Sequence, residues 1–75
     1  MVLSHITEEI LREIDTGGDT DIIAVFYRGR QITNTGRVKA MSVLVFGGLV
    51  KITNLTTSIN PYTGEQVKIW QLSRV

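Results

Sequence analysis

The apolar positions follow three spacings along the chain. From Ser4 to Asp15 they recur as on a helix: Ile6, Ile10 and Ile14 are four residues apart, Leu3 and Leu11 widen the stripe, and Arg12 and Glu13 point away from it. Ser4, or Thr7 as a second candidate, caps this helix. Glu8 and Glu9 sit where the helix dipole favours acids, and Asp15-Thr16-Gly17-Gly18 ends it. Ile22 to Tyr27 form a short continuous apolar run that periodicity alone reads as either a buried helix or a buried strand. The capping residues Asp19-Thr20-Asp21 tip the expectation towards a helix from Ile22 to about Arg28, with Ile22, Val25, Phe26 and Gly29 on one face.

From Thr33 to Val50 the chain reads as one further helix, starting near Thr35 and stopping at Gly47-Gly48. Asn34 or Thr35 is the candidate cap. Val38, Met41, Ser42, Val45 and Leu49 fall on its expected buried side with Leu44 at the flank, while Gly36, Lys39, Ala40 and Val43 are expected outside. Between the second and third helices, Gln31 to Gly36 is the expected turn, pinned to the core by Ile32.

The rest has strand character. Lys51 to Thr57 and Gln66 to Leu72 are rich in threonine and isoleucine, and Asn60-Pro61-Tyr62-Thr63-Gly64 joins them as a turn. If Asn60 opposes Glu65, Leu55 lies opposite Trp70 and Thr53 opposite Leu72, leaving Ile52, Val67 and Ile69 on the other face. The expected core is Ile10, Ile14, Phe26, Val38, Met41, Val45, Leu49, Trp70 and Leu72.

A helix stopped by glycine, then Gly48-Leu49-Val50, then a hairpin closing in Trp70-Gln71-Leu72-Ser73, resembles the recognition helix and wing of winged helix-turn-helix DNA-binding domains. The resemblance covers roughly Ser4 to Ser73. It implies an α+β fold over residues 1–75 as a single domain, with three helices followed by a two-stranded antiparallel wing. It also implies sequence-specific or semi-specific binding of double-stranded DNA, as in the small transcriptional regulators of phages, archaeal viruses and plasmids. Thr33, Asn34, Thr35, Arg37 and Lys39 would then meet the major groove. Arg28 and Arg30 would flank them, and Tyr62, Thr63 and Lys68 would approach phosphates from the wing. Val43, Phe46, Ile69 and the first helix leave apolar surface that implies a homodimer.

Charge sharpens this picture. Net charge is only +1, but residues 1 to 21 carry six acids against Arg12, a net −5, while residues 22 to 75 carry seven bases against Glu65, a net +6. That asymmetry fits an acidic end turned away from an anionic partner. The chain has no cysteine, which excludes disulfides and thiol nucleophiles, and its single histidine backs no nucleophile. Catalysis is not expected, nor is a metal or cofactor: Glu9 and Glu13 sit on a solvated helix face, and Gly47-Gly48 follows a helix rather than a strand. No stretch approaches the ~20 apolar residues of a membrane span, and no signal sequence opens the chain, so a cytoplasmic location is expected, nucleoid-associated or in a host's cytoplasm. The competing expectation is a small phage-type module that binds and inhibits a host protein. It gains weight if Ile22 to Tyr27 and Val43 to Phe46 are strands, which would give a helix plus an antiparallel sheet.

Overall fold

A computed structural model describes residues 4–18 and 20–75. The elements run α1 (His5–Asp15), β1 (Asp21–Tyr27), β2 (Arg30–Gln31), α2 (Thr35–Phe46), β3 (Val50–Ile59) and β4 (Gln66–Arg74). The strands form one antiparallel sheet in the order β2-β1-β4-β3. The fold is α+β, but the described residues form two helices and four strands where three helices and a two-stranded wing were expected.

The difference lies in Ile22 to Tyr27. This run is strand β1, hydrogen-bonded to β4 along Asp21↔Gln71 to Phe26↔Gln66. A continuous apolar run suits a strand with both faces in use. Ile22 and Ala24 point at the helices and are buried, while Ile23 and Val25 face outwards. Asp21 is the first residue of the strand rather than a helix cap, and Asp19 lies outside the described residues. Leu3, expected on the first helix's stripe, also lies outside them. A helix at this position would have left β4 unpaired on that side; cross-strand burial overrides the local capping signal.

Both helices end where the glycines predict. Gly17 (φ 76°) and Gly48 (φ 75°) take the left-handed conformation. In α1, Gly17 N–H donates to Ile14 O (3.3 Å) and Gly18 N–H to Glu13 O (2.7 Å); in α2, Gly48 N–H donates to Val45 O (3.1 Å) and Leu49 N–H to Leu44 O (3.0 Å). These paired bonds are the Schellman arrangement, which satisfies carbonyls left over at a helix end. Ser4 caps α1: Thr7 N–H donates to its Oγ (3.2 Å), and the buried Thr7 hydroxyl donates to Ser4 O (2.7 Å).

The core lies between the helices and one half of the sheet. It is built from Ile10, Ile22, Ala40, Met41, Leu44, Val50 and Leu72, with Ile6, Leu11, Ile14, Val38, Val45, Leu49 and Trp70 packed around them. Ala40, expected outside, is buried, and Leu44, expected at the flank, is fully buried. α2 is apolar on most sides, so its pattern does not select a face; packing against α1 and the sheet does. Phe26, expected in the core, is only half-buried, and Ile32, expected to pin a turn, is exposed.

The hairpin keeps Leu55↔Trp70, with Asn60 N–H donating to Glu65 O (2.8 Å). A bulge at Thr53 shifts the remainder, so Ile52 rather than Thr53 opposes Leu72. Ile52 therefore shares the face of Leu72 and Trp70, while Val67 and Ile69 lie on the other. Every β3 residue after Val50 is exposed. The molecule is 39 Å long and 18 Å thick, because the far half of the hairpin extends past the helices.

A basic and aromatic end of the sheet

β1 runs antiparallel to β4, so the β1–β2 turn and the β3–β4 turn lie at the same end of the sheet. That end lies one length of β1 from the α1–β1 connection, about 20 Å at ~3.3 Å per residue. Tyr27 pairs with Arg30, which leaves Arg28-Gly29 as a two-residue hairpin turn. Both turn residues have positive φ, 52° at Arg28 and 77° at Gly29, the signature of a type I′ turn. Asparagine is favoured at the first of these positions; arginine there carries backbone strain. The Arg28 guanidinium lies 5.4 Å from the centre of the Tyr27 ring.

One strand inwards, the half-buried Lys68 lies opposite Ala24 and Thr57 on the helix-side face. Its ammonium sits 5.1 Å from the centre of the Phe26 ring. At the opposite corner the turn is held by Tyr62 N–H donating to Asn60 Oδ1 (2.9 Å), Gly64 N–H to Asn60 O (2.8 Å) and Glu65 N–H to Thr63 Oγ1 (3.2 Å). Tyr62 itself is 96% exposed. Arg28, Arg30 and Lys68 thus share one end with Phe26, Tyr27 and Tyr62, and Glu65 is the acid nearest in sequence.

The expected groove-reading residues are placed otherwise. Thr33 Oγ1 accepts from Val25 N–H (2.9 Å), Asn34 Nδ2 donates to Ile23 O (2.6 Å), and Ile32 N–H donates to Val25 O (2.8 Å). These residues continue β2 along the outer edge of β1, Ile32 by its backbone and Thr33 and Asn34 by their side chains. Asn34, a candidate helix cap, takes a left-handed conformation (φ 54°) and makes no side-chain cap bond. Arg37 faces the acidic helix, 3.4 Å from Glu13. Thr35 is exposed at the start of α2, and Lys39 rims a groove between the helices with Ile6, Thr7 and Val43. The exposed stripe of α2 is Gly36, Lys39, Val43 and Phe46, with one cation in it.

Charge is thereby sorted. At the helical end acids and bases neutralise each other, Glu13 with Arg37 and Asp15 with Arg74 (3.3 Å). At the far end Arg28, Arg30 and Lys68 have no carboxylate within ion-pair distance among the described residues. Sequence reasoning placed these three cations in the site but missed their aromatic partners Phe26 and Tyr27, because it put both on a helix. The signal was the Phe26-Tyr27-Arg28-Gly29-Arg30 run, which reads as strand, turn and strand once the helix expectation is dropped.

Among the described residues no three His, Cys, Asp or Glu side chains gather as a metal site would need, and no helix is long and apolar enough to cross a membrane. No family model, no curated protein and no solved structure matches the chain. The class defined by the fold is a two-helix α+β domain over a four-stranded antiparallel sheet.

Proposed function

We propose that the chain binds double-stranded DNA through the basic and aromatic end of its sheet, with Arg28, Arg30 and Lys68 on phosphates and Tyr62 and Thr63 beside them. The observation that carries the reading is Arg28. It is held at φ 52° in a turn where asparagine would be relaxed, next to a second arginine, at the end of the sheet opposite the α1–β1 connection. A strained residue that the turn does not require is accounted for by a task outside the fold. Binding of a phosphate by a guanidinium stacked on tyrosine is such a task. α2 takes no base-reading role here, since Arg37 is paired and Thr33 and Asn34 serve the sheet.

Arg28→Asn separates the two roles. It should raise stability by about 1 kcal/mol by relieving the left-handed strain. It should also weaken binding to duplex DNA of any sequence and reduce the salt slope of log K by about 0.9 for each phosphate that the variant no longer neutralises. Lys68→Ala should lower the slope by a similar step of about 0.9. Thermal melts and titrations of a random duplex at two salt concentrations read all of this. A folded protein that binds no duplex at low salt would remove the DNA reading. The host-protein inhibitor would then be favoured by the outer sheet face, where Ile23, Val25, Val67 and Ile69 sit side by side with no helix over them among the described residues.

A further inference from the structure

The two long edges of the sheet are finished differently. Along β1 the outward groups of Tyr27 and Val25 and the Ile23 carbonyl are taken by β2, by Ile32 and by the Thr33 and Asn34 side chains. β3 closes the other side and, among the described residues, has no strand beyond it. The Asn60 to Glu65 bond sets the phase of the β3–β4 ladder. In an antiparallel ladder a residue turns its N–H and C=O either both towards the partner or both away. Asn54, Thr56, Ser58 and Asn60 therefore face β4, while Leu55, Thr57 and Ile59 present N–H and C=O to the open side.

Edge strands ordinarily carry a lysine, a proline or an inward charge that keeps other strands off. From Ile52 to Ile59 this edge carries none of them: the segment is Ile-Thr-Asn-Leu-Thr-Thr-Ser-Ile. Of its three exposed apolar residues, Leu55 (50%) and Ile59 (67%) are outward residues beyond the Thr53 bulge, and Ile52 (43%) precedes it. The Thr53 bulge marks where the regular edge begins and the Asn60-Pro61 turn where it stops.

We infer that this edge pairs with the same edge of a second copy of the chain, antiparallel and centred on Thr57, to make a continuous eight-stranded sheet. The three outward residues are symmetric about Thr57, so one twofold axis satisfies all of them at once. Thr57 faces Thr57 of the second copy, and Leu55 of each copy faces Ile59 of the other. Each of these is a hydrogen-bonded pair with two bonds, and the two exposed aliphatic side chains of each copy are covered by those of the other. Between them Thr56 faces Ser58 and Asn54 faces Asn60, all uncharged. Lys51 falls outside the paired segment, so no like charges oppose each other. A second copy is the occupant because its own edge presents the complementary residues in the matching phase. The pairing stands independently of DNA binding. It would set the Lys68 side chains of the two copies on one face, about three strand spacings or ~14 Å apart.

Because the chain contains no cysteine, a single introduced thiol tests the register directly. The Cα atoms of a hydrogen-bonded antiparallel pair are ~5.5 Å apart, within the range that a disulfide spans. Full-length Thr57→Cys, oxidised without DNA, should form a covalent dimer on a non-reducing gel. Lys51→Cys, exposed on the same strand but outside the pairing, should not. In parallel, Thr57→Pro removes an outward N–H while leaving the bonds to β4, which edge strands tolerate. Removing two bonds per dimer should weaken association about 100-fold by sedimentation, with the circular dichroism spectrum unchanged. A wild-type chain that sediments as a monomer at ~100 μM, where edge-paired dimers of useful affinity persist, overturns the proposal. So does equal cross-linking at positions 51 and 57, or a folded Thr57→Pro variant that remains dimeric.

Discussion

The edge along β1 and the edge along β3 belong to one sheet, yet only one is closed. The β1 edge has a partner strand of two residues, Arg30–Gln31. A strand so short leaves part of a seven-residue neighbour uncovered, and the chain covers it with one backbone N–H, one hydroxyl and one carboxamide. The β3 edge is ten residues long and has no such cover among the described residues. Short polar side chains can thus stand in for a strand where the chain passes close by but must turn into a helix. The cost falls on Asn34, which adopts a left-handed conformation to reach Ile23 O and forgoes capping α2. Where the chain supplies no cover, the backbone groups are left to solvent or to a partner.

The largest expected effect comes from stripping the closed edge. Thr33→Val with Asn34→Ala removes two hydrogen bonds of about 1 kcal/mol each and places alanine in a left-handed conformation at a further cost of about 1 kcal/mol. The melting temperature should fall by about 10–20 °C for a domain of this size. A melt within a degree or two of wild type would show that these side chains do not hold β1. Asn34→Gly sharpens the comparison, since glycine keeps the backbone conformation and loses only the carboxamide. It should cost about 1 kcal/mol, less than Asn34→Ala, and denaturant unfolding of the two variants separates bond from backbone. The smallest effect belongs to the open edge. Deleting Thr53 should restore a regular ladder between Ile52 and Asn54 and change monomer stability by less than about 1 kcal/mol. It should lengthen the flat stretch of β3 and tighten self-association, so weaker association on sedimentation would count against the bulge as the limit of that edge.

Local physical chemistry determined much of this protein. Ser4, the two glycine pairs and the Asn60–Gly64 turn each act within a few residues, through caps and backbone conformations that no distant neighbour needs to supply, and each stands where the residues imply. The hairpin phase from Leu55 to Glu65 follows for the same reason, and the segregation of charge along the chain is a matter of residue order alone. Tertiary structure decided the rest. Ile22 to Tyr27 has the composition of a buried helix or a buried strand, and only the free side of β4 makes it a strand. α2 has apolar residues nearly all round, so packing against α1 and the sheet chose Ala40 and Leu44 for burial over the face its spacing favoured. Thr33, Asn34 and Arg37 carry groups equally suited to DNA, to a helix cap or to a neighbour in the fold. Which of these a side chain meets depends on what lies beside it in space: the edge of β1 took the first two, and Glu13 took the third.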